Sequence, residues 1–176
     1  MSDLASLIVR RLTHDFAGPV GAMTTVLDMG AGDDPELLAL VAESAAGIAA
    51  ALRLYRFIAT PEAGMVASGT VRALVADWLA MRDGPALDWS ADGEWPGAVA
   101  RLTAALAMVA TDARPSTLTV TMGRVVFTQP LADDLANVLT GAAATTPRQA
   151  LAGLAAAEAA AGRTIGVAAD ALTITA

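Results

Sequence analysis

The sequence predicts an α+β protein in which two long helices precede a small mixed sheet. Apolar residues recur at helical spacing through most of residues 1–59, whereas short alternating segments typical of strands occur only further along the chain. Two helices joined by a short turn form a hairpin, and one side of a lone hairpin stays open to water. We therefore expect a homodimer, in which two hairpins close a four-helix bundle. The alternative is that the C-terminal part folds back over the open side.

The first helix is predicted to begin after a capping side chain, Ser2 or Asp3, and to end near Met29. Each residue advances about 100° around a helix, so apolar side chains at the right spacing share one side. That side is expected to form a buried stripe, made of Ile8, Leu12, Phe16, Val20, Met23 and Leu27.

The second helix is predicted after a turn at residues 30–34. Asp34 followed by Pro35 is typical of an N-cap with proline at the first helical position. The helix should end near Ala59, before a threonine and a proline. Its apolar residues keep a heptad spacing that predicts a second seam: Leu38, Val41, Ala45, Ile48, Leu52, Tyr55 and Ala59.

A change of composition near residues 61–64 predicts two domains, a helical hairpin over 1–62 and an α/β sandwich over 66–176. In the second domain the periodicity predicts a mixed sheet with helices on one face. The expected helices are 69–81, 96–111, 133–139 and 147–161, and the expected strands are 86–90, 117–122, 125–128, 165–168 and 171–175.

Composition excludes several classes of function. The formal net charge is −7 and no residue is lysine, which argues against a surface for nucleic acid or for an anionic membrane. With no cysteine there is neither a disulfide framework nor a thiolate metal site. The first residues do not resemble a signal peptide, and no uninterrupted apolar run reaches the roughly 18 residues of a membrane span. A cytoplasmic protein is the expectation.

The only histidine, His14, falls opposite the apolar stripe of the first helix. Its neighbours on that side, one to three turns away, are small or cationic: Arg11, Gly18, Gly21 and Thr25. Each glycine costs about 1 kcal/mol of helix propensity relative to alanine, and Pro19 removes a backbone hydrogen bond. The simplest interpretation is a surface histidine of no special role. The unfavourable residues around it indicate instead that the local shape is needed.

Few chemistries suit this composition. A single histidine without any cysteine argues against a metal site. The absence of a Gly-x-Ser-x-Gly motif argues against Ser-His-Asp hydrolysis. A P-loop is excluded, because it needs a lysine and the chain has none. A neutral imidazole can attack phosphorus, and its phosphoramidate can pass the phosphoryl group to a carboxylate. Arg11 would then steady phosphate oxygens, or it is an ordinary solvated arginine. Asp15 is poorly placed to pair with His14 directly; it orients the ring or the partner, or it is a surface carboxylate.

Residues 14–20, His-Asp-Phe-Ala-Gly-Pro-Val, resemble the H-box of two-component histidine kinases, whose usual form is His-Asp/Glu-Leu-x-x-Pro-Leu. The longer string 12–22 is closer to the ChpT-type histidine phosphotransferases of alphaproteobacteria, and residues 52–57 are similar to the end of that family's second helix. Phe16 departs from the usual leucine. The resemblance rests on specific sequence motifs over the first 60 residues. Beyond them it rests mainly on the predicted order of helices and strands.

This resemblance implies a dimeric four-helix bundle followed by a degenerate relative of the kinase ATPase domain. A working ATPase domain of that family needs a helix that bears asparagine and Asp-x-Gly-x-Gly loops. Here the only asparagine is Asn137, which lies outside the candidate helix 96–111, and the nearest loop fragment, 91–94, lacks the second glycine. We expect no ATP binding and no kinase activity.

The resemblance also implies a phosphorelay role. His14 would accept a phosphoryl group from the receiver domain of a hybrid kinase and donate it to that of a response regulator, while the receiver supplies Mg²⁺ and this chain holds no cofactor. Receivers would dock over Arg11, His14, Gly18, Gly21, Ala22 and Thr25. Two alternatives stay open. One is a kinase-like dimer that sequesters a regulator without phosphotransfer, and the other is an ATP-dependent kinase with an unusual nucleotide site.

Overall fold

The computed structural model describes residues 3–30, 34–61 and 64–175. The helices are α1 (Leu4–Asp28), α2 (Pro35–Ala59), α3 (Ser68–Ala80), α4 (Gly97–Ala110), α5 (Asp133–Leu139) and α6 (Ala150–Ala159), with 3₁₀ turns at Thr111–Ala113 and Pro147–Gln149. The strands are β1 (Met65–Ala67), β2 (Ala86–Trp89), β3 (Glu94–Pro96), β4 (Thr117–Thr121), β5 (Arg124–Phe127), β6 (Thr164–Val167) and β7 (Ala171–Thr175). The mixed α+β class predicted from the sequence is confirmed.

The two N-terminal helices begin at the predicted caps. The Asp3 carboxylate accepts a bond from the amide of Ala5 at 3.4 Å, and Asp34 accepts from the amides of Glu36 and Leu37 at 2.9 and 3.4 Å. Pro19 lies inside α1, and α1 packs along α2. Residues 31–33, most of the predicted turn, and Ser2, the other candidate cap, lie outside the described residues.

The predicted apolar stripes of α1 and α2 are only partly covered in this chain. On α1, Leu12 and Phe16 pack against the core and Ile8 and Met23 are half-buried, but Val20 and Leu27 are 47% and 66% exposed, and the fully buried residues are Leu7 and Val26. On α2 only Tyr55 of the predicted seam is buried, and the buried face is Ala50, Ala51, Leu54, Tyr55 and Ile58. For a single chain, the expectation that both stripes are buried is therefore wrong. The rest of the fold covers only the end of the hairpin where α1 begins and α2 ends.

Five strands form one mixed sheet in the order β2-β4-β5-β7-β6. β2 and β4 are parallel and the other neighbours are antiparallel. A second, two-stranded sheet pairs β1 with β3, with Val66 opposite Trp95. The sequence did not predict this pair, because three-residue strands are too short to show alternation.

One face of the large sheet carries the core of the second part of the chain. The register places Leu118 opposite Phe127 and Val125 opposite Leu172, and these side chains are buried. Helix α4 contacts β4, β5 and β7, and all its residues from Ala100 onward are buried. The other face is rich in threonine and partly exposed, which agrees with the prediction of helices on one face.

The hairpin and the sheet share one hydrophobic core. Helix α2 contacts α3 and α4, and α1 contacts α6. The buried cluster runs from Leu54 and Ile58 to Trp95 and the sheet. The C-terminal part thus covers a portion of the hairpin, and the rest of its apolar surface stays uncovered. The division into domains 1–62 and 66–176 stays a prediction, and residues 62 and 63 lie outside the described residues.

Helix α2 has the length and hydropathy of a membrane span, although charged residues interrupt its apolar sequence as expected. It has 25 residues, and its most apolar window has a mean hydropathy of 1.7, enough to span a bilayer by length and composition. One such helix near the N-terminus is weak evidence for a membrane span, because a helix in the core of a soluble protein has the same properties. In this chain the C-terminal half of α2 packs into the core, which is consistent with a soluble protein.

Leu118 tests the assignment of the core. The side chain is fully buried, so Leu118→Ala should lower the free energy of unfolding by about 2–5 kcal/mol, measured by urea denaturation. Met122, in the turn between β4 and β5, is 56% exposed, and Met122→Ala should cost much less. Equal losses from the two variants would contradict the assignment.

Candidate functional site

The side chain of His14 projects into solvent from the middle of α1. It is 86% exposed. A Cβ atom placed on Gly18 or Gly21, one and two turns further along, would meet nothing within 4 Å. The surface along α1 beside the imidazole is therefore open, so that another macromolecule can approach the ring closely.

A cavity of about 370 Å³ adjoins the imidazole where α1, α2 and the end of α3 meet. The floor is apolar, and the polar groups come from α1 and from the segment after α3. The lining residues are His14, Asp15, Phe16, Gly18, Pro19, Gly47, Ile48, Ala51, Trp78, Met81 and Arg82. The two helices of the hairpin and the second part of the chain all contribute to the surroundings of the histidine.

Asp15 is the polar centre of this region. Its side chain is only 4% exposed. One carboxylate oxygen accepts bonds from Arg11 Nε and Tyr55 Oη, each at 3.1 Å, and lies 3.6 Å from Arg82 Nη1. The other oxygen lies 3.5 Å from His14 Nδ1, a long contact for a hydrogen bond. Asp15 is therefore not a surface carboxylate, because its side chain turns into the protein beneath the imidazole. From that position it contacts the ring of His14 directly.

Arg11 occupies a different position from the predicted one. Its side chain is only 12% exposed, and Nη2 lies 3.8 Å from Asp112 in addition to the bond with Asp15. Burial lowers the pKa of Arg11, but the carboxylates of Asp15 and Asp112 outweigh burial and leave the pKa raised. The expectation that Arg11 stands on the solvent side with His14 is wrong. The guanidinium instead neutralises two carboxylates inside the protein.

Arg82 is a site residue that the sequence did not reveal. It follows the C-terminal end of α3, and its guanidinium carbon lies 5.0 Å from the centroid of the Trp78 ring. The side chain is 38% exposed and lines the cavity beside His14. No local pattern links residue 82 to the histidine. The only sequence signal for Arg82 was its spacing of four residues from Trp78. That spacing places the arginine and the aromatic ring on the same side of the end of a helix.

Two further groups complete the buried network. Burial raises the pKa of Tyr55, so its hydroxyl keeps its proton and donates to Asp15. Burial also raises the pKa of Asp112, against the opposing effect of Arg11. Asp112 lies in the 3₁₀ turn after α4, so the network joins α1, α2, the end of α3 and the end of α4.

The remaining predicted contact residues follow His14 along α1. Gly18, Gly21 and Thr25 are exposed, whereas Ala22, predicted on the exposed side, is half-buried. The Thr25 hydroxyl donates to the Gly21 carbonyl at 2.9 Å. Their role in docking a partner stays a prediction. Within residues 3–30, 34–61 and 64–175 there is no group of three or more acidic or histidine side chains that could hold a metal ion.

The fold is similar to that of a solved structure of another protein. A solved structure described as a bacterial phosphotransferase, at 1.7 Å resolution, matches this chain with a TM-score of 0.77. The match covers 99% of this chain and 96% of that chain, with 20% sequence identity. No protein-family model and no curated protein matches the sequence. At this level of identity the likeness establishes the architecture, and the chemistry must be argued from the site.

Asp15→Ala should destabilise the protein, because it removes a shared partner of two arginines, one of them largely buried. We expect the free energy of unfolding to fall by about 3 kcal/mol in a urea titration. The matched control is Asp77→Ala. Asp77 pairs with Arg53 at 3.2 Å, but both side chains are more than half exposed, and its loss should cost less than about 1 kcal/mol. A small effect of Asp15→Ala would show that the buried network does not support the fold.

Proposed function

We propose that this chain is a histidine phosphotransferase, in which His14 carries a phosphoryl group between aspartates of receiver domains. The observation that carries the proposal is the geometry of the single histidine. Its ring is 86% exposed on an open helix face, and its Nδ1 faces the buried carboxylate of Asp15 at 3.5 Å. The shared fold with a bacterial phosphotransferase supports the same class of reaction.

The contact with Asp15 favours the ring tautomer in which Nδ1 carries the proton, because a carboxylate accepts and does not donate. Nε2 then holds a free electron pair on the solvent side. It attacks the phosphorus of an aspartyl phosphate, the N–P bond forms, and the P–O bond to the aspartate breaks. The aspartate leaves as a carboxylate with the bonding electron pair, and no proton has to move. Onward transfer runs through the same step in reverse.

The phosphorylated ring carries a positive charge beside the negative phosphoryl group. The Nδ1–H group of that ring faces the carboxylate of Asp15, which orients the ring. The negative charge of the carboxylate compensates the positive charge of the ring. Such a fixed carboxylate needs little reorganisation when the charge develops. In this account Asp15 acts on the imidazole, and Arg11 and Tyr55 act on Asp15 by holding its carboxylate in place.

The partners are proposed to be the receiver domains of a hybrid kinase and of a response regulator. Their docking surface is the exposed side of α1, made of His14, Gly18, Gly21 and Thr25, with the half-buried Ala22 at its edge. Small residues let the receiver bring its phosphorylated aspartate to Nε2. Mg²⁺, where required, would come from the acidic pocket of the receiver. We propose no ATP-dependent kinase activity for this chain and a cytoplasmic location.

A homodimer is proposed from the uncovered apolar surface of the hairpin. Large apolar side chains of α1, α2 and the residue after α1 remain 42–69% exposed: Val9, Val20, Leu27, Met29, Leu38, Leu40 and Leu52. Helical spacing puts Val9, Val20 and Leu27 on one side of α1, and Leu38 and Leu52 on one side of α2. Exposed apolar rows of this kind are typical of an interface. A second hairpin would cover these rows and complete a four-helix bundle.

Transfer from a phosphorylated receiver tests the proposed reaction. After incubation with a ³²P-labelled receiver domain, the wild-type protein should carry label that is acid-labile and stable to base, as expected for a phosphoramidate. His14→Ala should carry none, because the chain has no other histidine.

Two other results would point elsewhere. A His14→Ala variant that still binds the receiver, together with a wild type that takes no label from several receivers, would replace phosphotransfer with sequestration of a regulator. Label acquired directly from ATP, with nucleotide binding in a thermal-shift assay, would indicate a kinase.

Substitution of the uncovered apolar surface tests the dimer. The double variant Leu27→Glu, Leu38→Glu should sediment as a monomer in analytical ultracentrifugation at concentrations where the wild type is a dimer. Charged groups are costly to bury across an apolar interface. Met122→Glu introduces the same charge at an exposed position far along the chain and should leave the dimer intact. A monomeric wild type, or a double variant that still dimerises, would contradict the proposal.

A further inference from the structure

We infer that Arg82 contacts the phosphoryl group on His14, so that the second part of the chain supplies a catalytic side chain to the helical hairpin. The inference rests on the proposed function, since it assigns a residue to that reaction. Arg82 belongs to none of the motifs of the hairpin, and its relation to His14 arises only from the fold.

Asp15 brings the two side chains together. One of its carboxylate oxygens lies 3.5 Å from His14 Nδ1 and the other lies 3.6 Å from Arg82 Nη1. The imidazole and the guanidinium also line the same cavity of about 370 Å³. A group bound to the ring and directed into this cavity would face the guanidinium on the cavity lining.

Arg82 retains the capacity to bind an anion. A guanidinium has five N–H donors, and among the described residues Asp15 is the only carboxylate within 4 Å of the nitrogens of Arg82. Its side chain is 38% exposed, against 12% for Arg11, which is engaged by two carboxylates. Contact with the Trp78 ring and with Asp15 restricts the side chain in advance. Little conformational entropy would be lost when it contacts a phosphate.

The other cation near the histidine is less favourably placed. Arg10 lies one turn before His14 on α1 and is exposed, but it does not line the cavity. A free side chain of this kind pays the full entropy cost of ordering when it binds. The geometry therefore points to Arg82 as the main cation for the phosphoryl oxygens.

Phosphoryl transfer depends mainly on positioning and on neutralisation of charge at the three non-bridging oxygens. Arg82 would donate charge-assisted hydrogen bonds to those oxygens while Nη1 stays with Asp15. The bonds made and broken are those of the proposed step, the N–P bond to Nε2 and the P–O bond to the partner's aspartate. Arg82 donates hydrogen bonds only, and it gives up no proton.

The test is single-turnover transfer from a labelled, phosphorylated receiver to the full-length chain, with the receiver in saturating excess. Arg82→Ala should lower the maximal rate by roughly 10- to 100-fold, as expected for loss of one hydrogen bond to a charged group. Arg82→Lys should retain part of the rate, and added guanidinium ion should restore part of the activity of Arg82→Ala. Arg53→Ala is the matched control, because Arg53 also pairs with an aspartate but lies outside the cavity.

Several results would overturn the inference. These are equal rates for Arg82→Ala and the wild type, a loss confined to receiver affinity, a lack of guanidinium rescue, or a large loss from Arg10→Ala in place of Arg82→Ala. Arg82→Gln keeps a donor for Asp15 without the charge and takes the place of Arg82→Ala if that variant does not fold. If the wild type takes no label, both the proposed function and this inference are contradicted. If the wild type and the Arg82 variants take label at the same rate, only this inference is contradicted.

Discussion

The buried carboxylate of Asp15 is the constraint on which the site depends. A carboxylate that is 4% exposed needs donors, and here they come from α1, α2 and the end of α3. To satisfy that one group, the hairpin and the second part of the chain must meet at a fixed geometry. The residue before Asp15 is His14, so the same geometry fixes the base of the exposed imidazole. Fold stability and the placement of the reactive ring are thus coupled through adjacent residues.

The site is packed tightly below the histidine and open above it. Beneath the ring, the network of Arg11, Tyr55 and Asp112 restricts movement of α1 against its neighbours. Above the ring, Gly18 and Gly21 leave the helix surface bare. The proposed relay needs both properties, because its nucleophile must be held in position while different partners approach. The uncovered apolar side of the hairpin, away from the core, is the surface proposed for a second copy of the chain.

The sequence predicted what depends on local periodicity. Both long helices, the mixed sheet and the exposed position of His14 follow from repeating patterns and capping residues. The inward turn of Arg11 and Asp15 did not, because a helical wheel treats charged residues as exposed unless their partners are known. Those partners, Tyr55, Arg82 and Asp112, are distant in sequence and meet Asp15 or Arg11 only in the folded chain. The extent of burial on α1 and α2 was overestimated, because amphipathic spacing shows which side of a helix is apolar and not how much of that side the rest of the chain covers.

The state of the His14 ring tests the central claim most directly. Because the chain has one histidine, ¹⁵N labelling of histidine gives the NMR signals of a single imidazole. We expect Nδ1 to carry the proton in the neutral ring. Phosphorylation by a receiver should add a ¹⁵N–³¹P coupling at Nε2 while the Nδ1 proton remains, and Asp15→Ala should weaken the preference for this tautomer. A neutral ring protonated at Nε2, or phosphorus attached at Nδ1, would contradict the account.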